Sequence, residues 1–488
     1  MQLAELVKDW PCKVKGSVRI EVTNIAERWQ NVTDGGLFFA HNGRNVDGND
    51  YIEHALENGA VVIVTEDETL FEHWAYKEAL VWVPNSRTFC AYVSHRFYGE
   101  PSEVLPIIAI TGTNGKTTVS HLIGQIAKNL GVKTLVIGTN GIFLDGELQE
   151  ENEPLTTKSA IFLQRLLQQA IRQQVELVVL EASSMGLEQH RLDYCAVDVG
   201  VFLNLSQEHI EDHRTLENYK TAKRRLVQLS DQIVCNADDG FCHAVAAKCT
   251  KPVMLYSTTG QGDLSLQLLH EDLQHSLVKV TLSHYQEVSA LSIAGNYTHS
   301  NISAAISALC MLGVDIAEIV PVLPKLTLPD GRMQLVAQHN GAHVYIDYAH
   351  TPVAFKHVLQ HIERYCHGKL IVVFGCGGER DKAKRQEIGR IASKYADIII
   401  LTTDNCRSEN PAAINAQIRN GFFATQQYEE WLERKEAIGR ALQLAEEDDI
   451  VLIAGKGHET VQIIGNTVQP FNDIEIVQEL VTVFNEEN

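Results

Sequence analysis

The chain has 488 residues, 45% of them hydrophobic, and a formal net charge of −21 at pH 7. Because domains contain about 150 residues on average, this length predicts three domains, each with enough apolar residues for a packed core. The acidic balance argues against a surface for nucleic acid or another polyanion. Positive charge for small anionic ligands must therefore be concentrated locally.

Targeting and redox signals point to the cytoplasm. The sequence lacks an uninterrupted apolar stretch long enough to span a bilayer, and the first residues, MQLAELVKDWPCK, lack the regions of a signal peptide. The ten cysteines are scattered without a CxxC pair, which is typical of reduced thiols. We expect a cytoplasmic protein without a membrane partner.

Residues 1–100 mix short strands and helices and contain no phosphate loop. Strands are predicted at 38–40 and 61–65, with a turn at Asp47-Gly48 and an amphipathic helix between them. A composition shift at 101–106 predicts the first domain boundary.

Residues 107–118, IIAITGTNGKTT, have the pattern of a phosphate-binding loop. Residues 107–111 predict a buried parallel strand, and the apolar spacing of 117–127 predicts a helix after the turn. The turn amides and the helix N-terminus would face a phosphate, with Lys116 as a point charge and Thr117 as a hydroxyl for Mg²⁺. Although Ile110 stands where the generic pattern has glycine, we prefer nucleotide binding to an incidental tight turn.

Residues 101–330 alternate strand and helix, as a doubly wound parallel sheet requires. Strands are predicted at 135–138, 177–180 and 197–203. Ligands bind at the carboxyl ends of such strands, and Glu181 stands at one of them. Glu181 is either an Mg²⁺ ligand or water-orienting group, or a helix cap or solvated turn acid. We favour the metal role if the phosphate loop is real.

A lysine falls on the apolar face of a predicted helix at 214–229. Leu216, Tyr219, Lys223 and Leu226 follow the spacing of a buried stripe. The residues alone favour an ammonium that extends to water or pairs with a carboxylate. The alternative is a neutral, desolvated amine that can do chemistry.

A proline-bearing stretch at 326–331 leads into a third domain. Four polar clusters there each follow a predicted strand, at 347–350, 375–381, 402–407 and 454–459. By the strand-end rule they should converge on one edge of a sheet. We predict a second site there, for a charged, carboxylate-bearing molecule gripped by bidentate arginines. The charged residues of these clusters are Arg380, Lys384, Arg385, Arg407, Lys456, Asp347, Asp381, Asp404 and Glu459.

A series of motifs resembles those of the Mur ligases, in the order of that family: TGTNGKTT, EASSMGLEQHR, NLSQEH, YKTAK, GRM, DYAHTP, FGCGGERDKAKR, TTDNCRSENP and AGKGHE. The resemblance covers nearly the whole chain and is greatest to the members that add meso-diaminopimelate to UDP-N-acetylmuramoyl-dipeptide. It implies an N-terminal mixed α/β domain for the UDP-sugar (1–100), a central P-loop ATPase with a doubly wound parallel sheet (101–330), and a C-terminal Rossmann-like domain for the amino acid (331–488).

The resemblance also implies the chemistry, which is amide formation in peptidoglycan precursor synthesis. ATP, as co-substrate, would phosphorylate a carboxylate to an acyl phosphate, which an amine then attacks. The implied catalytic residues are Lys116, Glu181, His209 and Lys223. Two Mg²⁺ ions would be held by Thr117, Glu181, His209 and a carbamylated Lys223, which reverses the interpretation of Lys223 given above. ATP would be bound by Gly112, Thr113, Asn114, Gly115, Lys116, Thr117, Thr118, Asn301, Arg332, Asp347 and His350.

Both other substrates have implied binding residues. The amino-acid site maps onto Arg380, Asp404, Asn405, Arg407, Gly455 and Glu459. Arg407 implies an amino acid with a distal carboxylate, since lysine-adding relatives lack an arginine there. Cys406 replaces the usual proline, and we expect a looser loop. The carboxylate substrate maps onto Thr156, Thr157, Ser183, Gln189 and Arg191.

Departures from the family's pattern cluster on recognition of UDP. Residues 28–30 read Arg-Trp-Gln in place of Asp-Ser-Arg, residues 47–49 read Asp-Gly-Asn in place of Asp-Gly-His, and Lys158 and Met185 replace a proline and a histidine. Three readings stay open: a peptidoglycan ligase with an altered nucleotide pocket, a paralogue that uses a different carboxylate, and a non-catalytic nucleotide-binding partner. The retained catalytic set argues against the third. In each case we expect a monomer that binds small molecules.

Overall fold

The structure is a computed structural model that describes residues 1–43, 46–150, 153–206, 208 and 210–487. Within these ranges the chain forms a five-stranded, an eleven-stranded and a six-stranded sheet, each from its own stretch of sequence, and a two-stranded hairpin. The predicted three-part α/β architecture is confirmed. None of the helices in the described ranges is both long and apolar enough to cross a membrane.

The N-terminal unit is a small sheet in the order β1-β5-β4-β3-β2, parallel except for the β1–β5 pair. The predicted strands at 38–40 and 61–65 are β3 and β4. The buried residues of β3, β4 and α4 form a core on one face of the sheet. The elements are α1 (Leu3–Leu6), β1 (Lys13–Lys15), β2 (Asn24–Ala26), β3 (Gly36–Ala40), α2 (Ile52–Glu57), β4 (Ala60–Thr65), α3 (Glu68–Glu72), β5 (Ala79–Trp82) and α4 (Ser86–Phe97), with 3₁₀ turns at Trp29–Asn31, Gly48–Tyr51 and Pro101–Glu103.

The central unit has a parallel middle, in which β12, β11, β6, β10 and β7 lie side by side. Two separate apolar clusters cover its faces, one with α5 and α11 and the other with α6 and α10, as double winding requires. The strands are β6 (Ile107–Thr111), β7 (Thr134–Gly138), β8 (Gly141–Leu144), β9 (Glu147–Gln149), β10 (Leu177–Glu181), β11 (Val197–Phe202), β12 (Ser230–Asn236), β13 (Val253–Ser257), β14 (Leu264–Glu271), β15 (Ser276–Leu282) and β16 (Tyr285–Leu291). The helices are α5 (Lys116–Asn129), α6 (Ala160–Arg172), α7 (Ser184–Glu188), α8 (Ile210–His213), α9 (Leu216–Leu229), α10 (Gly240–Ala246), α11 (Asn296–Met311) and α12 (Ile316–Ile319), followed by a 3₁₀ turn at Val320–Lys325.

Both edges of the central sheet are antiparallel, which the sequence prediction did not include. At one edge, Asp145 and Gly146 both have positive φ, 50° and 83°, and form a tight turn between β8 and β9, as an Asp-Gly hairpin does. At the other edge, β15 alternates buried and more exposed residues because only one of its faces is covered.

The C-terminal unit has the order β17-β18-β22-β19-β20-β21, parallel from β18 to β21. The predicted strands before the four polar clusters are β18, β19, β20 and β22, so all four clusters leave the same edge. The elements are β17 (Gln334–His339), β18 (Ala342–Asp347), α13 (Pro352–Tyr365), β19 (Leu370–Phe374), α14 (Ala383–Tyr395), β20 (Ile398–Leu401), α15 (Pro411–Arg419), β21 (Gln427–Glu430), α16 (Arg434–Leu444), β22 (Ile450–Ala454), the hairpin β23 (Val461–Ile464) and β24 (Thr467–Pro470), and α17 (Asp473–Glu487).

Candidate active site

One cleft lies between the strand ends of the central sheet and those of the C-terminal sheet. It is lined by most of the predicted site residues, namely Thr113, Asn114, Gly115, Lys116, Thr117, Thr156, Glu181, Ser183, Lys223, Arg332, His350, Arg380, Asp404, Asn405, Arg407, Gly455 and Glu459. Seven predicted residues do not line this cleft: Gly112, Thr118, Thr157, Gln189, Arg191, Asn301 and Asp347. His209 lies outside the described residues.

The phosphate loop joins β6 to α5 as predicted. Gly115 has φ 91° and precedes the first helical residue, Lys116. A Cβ at Gly115 would lie 2.5 Å from the side-chain oxygen of Asn301, so only glycine fits there. The Nζ of Lys116 donates to the carbonyls of Gly112 and Thr113, at 2.9 and 3.2 Å. Burial lowers the pKa of Lys116, while Glu181 opposes this shift.

Glu181 ends β10 with a buried carboxylate, and Thr139 holds both of its oxygens. The backbone N–H of Thr139 donates to Oε1 and its hydroxyl donates to Oε2, each at 3.0 Å. The same hydroxyl lies 3.1 Å from that of Thr156. A Cβ at Gly138 would overlap the Glu181 carboxylate. Thr139 was missed in the sequence, although it directly follows β7 and the strand-end rule would have found it.

Lys223 is buried, with 1% of its surface exposed. One part of the prediction from the residues alone, an ammonium that extends to water, is therefore wrong, whereas pairing with a carboxylate stays a prediction. The reason is its position on α9, where Lys223 faces the cleft and its Nζ lies 4.7 Å above the Tyr219 ring. Burial lowers the pKa of Lys223 well below its usual value, and nearby Lys116 lowers it further. A buried lysine with a lowered pKa holds a neutral amine more readily.

Four of the five residues predicted for the carboxylate substrate form one hydrogen-bonded group at the start of α7; the fifth, Thr156, contacts Thr139 instead. Ser183 caps this helix by accepting the N–H of Gly186 at 3.0 Å. The hydroxyl of Thr157 accepts the Ser183 N–H at 2.8 Å and lies 2.9 Å from the Ser183 hydroxyl. Arg191 donates to the carbonyl of Thr157 and to the side chain of Gln189, at 2.7 and 2.6 Å. Gln189 and Arg191 thus hold this group from outside the cleft.

On the opposite wall, the loop after β20 presents Arg407. Its backbone is left-handed, with φ 51°, and the hairpin holds it: Arg407 donates its N–H to the Ile463 carbonyl at 3.1 Å and accepts that of Gly465 at 2.7 Å. Its Nη1 donates to the Gly378 carbonyl at 2.7 Å. Cys406 is buried beside it. The loop that we expected to be loosened is thus hydrogen-bonded on both sides of Arg407.

Two carboxylates, Asp404 and Glu459, line the cleft together with Arg407. Lys456 is fully buried and its Nζ donates to Glu459 at 2.9 Å and to the Asn405 side chain at 3.3 Å. Asn405 also donates to Glu459, at 2.8 Å. Asp404 lies 4.0 Å from the same Nζ. Lys456 therefore fixes the amide and carboxylate that line the cleft.

Two charged residues that were predicted to contact a ligand are buried and bind other parts of the protein instead. Arg385, expected to be a candidate grip, is buried and binds Glu409 with two nitrogens, at 2.9 and 3.0 Å. Arg385 lies in the first turn of α14, and its Nη2 also donates to the carbonyl of Gly377 in the loop after β19, at 3.1 Å. Asp347 is also buried, and accepts the backbone N–H groups of Met333 and Ala349, each at 2.7 Å. Burial raises the pKa of Asp347.

The two walls touch at a few polar contacts. Thr351 lies 3.4 Å from Asn114 of the phosphate loop, and His350 lies 3.7 Å from Glu208. Within the C-terminal wall, Arg332 stacks its guanidinium 4.5 Å above the ring of Tyr348. The phosphate loop and the pocket around Arg407 thus open onto one cleft.

Comparison with known proteins covers all three units. The Mur ligase middle domain matches residues 110–309, the Mur ligase glutamate ligase domain matches 331–457, and the Mur ligase family catalytic domain matches 30–98. Together these models account for more than half of the chain. The chain belongs to the Mur ligase family. It is thereby an ATP-dependent carbon–nitrogen ligase, as predicted.

Several full-length Mur ligases are similar to this one. UDP-N-acetylmuramoyl-L-alanyl-D-glutamate--2,6-diaminopimelate ligase 2 of Clostridium acetobutylicum is 35% identical over 96% of this chain and 97% of its own length. The ligase of the same name from Caldanaerobacter subterraneus is also 35% identical, over 98% and 99%. A solved structure of a ligase with this name is 31% identical, with a TM-score of 0.71 over 99% of both chains. MurF of Acinetobacter baumannii shares the fold alone, at 16% identity and a TM-score of 0.67 over 99% of this chain and 98% of its own.

Proposed function

We propose that this Mur ligase joins an amine of meso-diaminopimelate to the D-glutamate carboxylate of UDP-N-acetylmuramoyl-L-alanyl-D-glutamate, with hydrolysis of ATP. The observation that carries the proposal is the shared cleft, which has a phosphate loop on one wall and the Arg407 pocket on the other. Full-length relatives named for this reaction support the choice of substrates.

The assignment of diaminopimelate rests on charge. The distal end of this amino acid carries a carboxylate and an ammonium. The Nη1 of Arg407 donates to the backbone carbonyls of Gly378 and Asn405. The guanidinium of Arg407 would bind the distal carboxylate of the amino acid. Asp404 and Glu459, which line the same cleft, would receive the ammonium. Lysine has the ammonium but not the carboxylate, so it would leave Arg407 unpaired.

Activation of the acceptor carboxylate takes place at the phosphate loop in this proposal. Its oxygen attacks the γ-phosphorus of ATP, ADP leaves, and the acyl phosphate forms. The amine then attacks the acyl carbon, loses a proton, and expels phosphate. Lys116 and the amides of the loop bind the phosphates, while Thr156 and Ser183 orient the acceptor. Asn114, Thr113 and the remaining ATP residues predicted above complete the nucleotide site.

The donor set fits Mg²⁺. Thr117 and Glu181 are hard oxygen donors on the same wall, and Thr139 fixes the Glu181 carboxylate so that each oxygen keeps a lone pair for a cation. When bound, Mg²⁺ neutralises charge between carboxylate and phosphate. The buried amine of Lys223 is suited to react with CO₂, and its carbamate would supply a further oxygen donor. His209 is included among the proposed metal ligands because of the resemblance to the Mur ligases.

We also propose the domain limits 1–100, 101–330 and 331–488, a monomer, and a cytoplasmic location. The three sheets lie within these limits. The net charge of −21 supports small-molecule substrates and no nucleic acid.

A second candidate is a paralogue that uses a carboxylate without UDP. Its support is in the N-terminal unit, where Trp29 packs against His54, with ring centroids 5.0 Å apart. One of the altered residues, Trp29, thus packs on α2, which supports a changed recognition surface in this unit.

The test is phosphate release from ATP and Mg²⁺ with both substrates, and with each left out in turn, followed by the mass of the product. The proposal predicts release that requires both substrates, at about 1 per second or faster, and a product with one new amide. The Lys116→Ala variant is the control. Release with other carboxylates but not with the UDP-dipeptide would favour the paralogue.

A further inference from the structure

We propose that Glu27, His41 and Cys90 form a binding site for a zinc-class divalent cation in the N-terminal unit, separate from the cleft. The carboxylate oxygen, imidazole nitrogen and sulfur of these residues all lie within 4.8 Å of one another. Glu27 follows β2 and His41 follows β3, so both stand at the carboxyl edge of the parallel strands, and Cys90 comes from α4. Ligands bind at this edge of an open α/β sheet.

Hydrogen bonding determines which nitrogen of His41 carries a proton. The hydroxyl of Ser86 donates to the carboxylate of Glu66, at 2.7 Å. A hydroxyl has only one proton, and an ionised carboxylate can only accept. Ser86 must therefore accept from Nδ1 of His41, which lies 2.7 Å away. Nδ1 carries the hydrogen, and in a neutral imidazole Nε2 then has a lone pair.

That lone pair faces a second acceptor. Nε2 of His41 lies 3.1 Å from Oε1 of Glu27. Two acceptors at this distance repel each other unless a positive charge lies beside both. A proton on Nε2, which would make His41 a cation, would be enough to stabilise the pair of His41 and Glu27. The sulfur of Cys90 lies within 4.8 Å of both of these atoms, and it also lies 3.9 Å from the Ser94 hydroxyl. This third donor atom favours a metal, because sulfur, imidazole and carboxylate together are the donors that zinc uses.

The surroundings resemble the outer shell of a metal site. Metal-binding histidines usually donate their other N–H to a fixed acceptor, which orients the ring. Here Ser86 accepts that hydrogen, and Glu66 holds Ser86 through both its hydroxyl and its backbone N–H, each at 2.7 Å. Phe39 also stacks against the His41 ring, with centroids 5.7 Å apart.

The charges around the site can accommodate the cation. Burial raises the pKa of Glu27, but His41 lowers it more in sum with Arg191 and Arg87, so that the pKa of this carboxyl is lowered overall. A dication with the carboxylate of Glu27 and a thiolate of Cys90 sums to zero, so the two arginines face a neutral centre. Burial raises the pKa of the Cys90 thiol. Metal binding must therefore release its proton to solvent, and binding should weaken as pH falls.

The test uses the full chain without an affinity tag, freed of metal with a chelator. Zn²⁺ is added, excess is removed, and bound metal per chain is counted. Co²⁺ is then used as a probe, because a thiolate ligand gives a charge-transfer band in the near ultraviolet. We expect one zinc per chain and a cobalt band. Ser86→Ala should weaken binding about 10- to 100-fold.

Three variants separate this site from others. Cys90→Ser should abolish the cobalt band, whereas Cys12→Ser, at a partly buried cysteine of the same unit, should keep it. Glu181→Gln should also keep it, since that residue lies in the cleft. Should Cys90→Ser fail to fold, as circular dichroism would reveal, His41→Gln at the edge of the sheet provides the same test.

Two results would overturn the proposal. One is a folded wild-type protein that retains no zinc and shows no band, with both nitrogens of His41 protonated in nitrogen NMR spectra, which would identify the cation as a proton. The other is an unchanged band in Cys90→Ser. Both readouts are independent of substrates, so they stand whether or not the proposed ligation is observed.

Discussion

Thr139 holds both oxygens of the Glu181 carboxylate, through its backbone N–H and its hydroxyl, each at 3.0 Å. The two residues follow neighbouring parallel strands, β7 and β10. The backbone and the side chain of one residue therefore set the direction of the buried carboxylate.

The first prediction concerns this pair. Thr139→Val keeps the shape and the N–H bond but removes the hydroxyl, so the Glu181 carboxylate should lose its fixed orientation. We expect a 10- to 100-fold weaker apparent affinity for Mg²⁺, roughly the effect of losing an outer-shell partner. The measurement is the initial rate against Mg²⁺ concentration. Thr139→Ser should behave like the wild type, and an unchanged Mg²⁺ dependence in the valine variant would contradict this role.

The second prediction concerns amino-acid selection by Arg407. Arg407→Ala should lower kcat/KM for meso-diaminopimelate by about 10- to 150-fold, because a hydrogen bond to a charged group contributes about 1.5–3 kcal/mol. Lysine lacks the distal carboxylate, so kcat/KM for lysine should change little. The check is steady-state kinetics with both amino acids. Equal losses for the two would remove Arg407 from the distal site.

The third prediction concerns Lys223. Lys223→Ala should abolish ligation, and short carboxylic acids should restore part of the activity by supplying the missing anion. Folding of the variant is checked by circular dichroism, and the rate is then titrated with acetate and propionate. Full activity of the variant without added acid would show that ligation does not require a carbamate at Lys223.

The fourth prediction concerns stability of the C-terminal unit. Arg434 and Asp473 form a completely buried ion pair between α16 and α17, with N···O distances of 2.8 and 2.7 Å. Asp473→Asn should lower the free energy of unfolding by about 3–5 kcal/mol, because it leaves a buried charge without its partner. The matched control is Glu479→Gln, which breaks the exposed pair with Lys435 on the same two helices and should cost less than about 1 kcal/mol. Denaturant unfolding gives both values, and similar losses would contradict the prediction.

The fifth prediction concerns acid stability. Burial lowers the pKa of His299 from 6.5 to about 4, and its Nε2 lies 2.8 Å from the Ser276 hydroxyl. Between these values only the unfolded state binds the proton, so stability falls as pH decreases from 6.5 to 4, by about 3 kcal/mol in all. His299→Gln should flatten this part of the pH profile of unfolding. His270→Gln, at an exposed histidine, should not, and equal profiles for all three proteins would contradict the assignment.

Strand-end reasoning predicted much of the cleft from the sequence. The four C-terminal clusters converge because β18, β22, β19 and β20 are parallel neighbours, and buried apolar runs before polar residues reveal such strands. The antiparallel edges were missed because they depend on hairpin turns such as Asp145-Gly146. The expectation that the Lys223 ammonium extends to water was wrong because periodicity shows which face of a helix is apolar, but not that this face borders a cleft. Arg385 was misjudged because its partner, Glu409, comes from a distant loop.

The central claim is that the acceptor carboxylate is activated as an acyl phosphate. The most direct measurement uses acceptor whose reacting carboxylate is labelled with ¹⁸O, followed by mass spectrometry of the released phosphate after one turnover. If the carboxylate oxygen attacks the γ-phosphorus of ATP, one ¹⁸O leaves in inorganic phosphate and ADP is unlabelled. Labelled AMP with release of pyrophosphate, or phosphate without ¹⁸O, would contradict this mechanism.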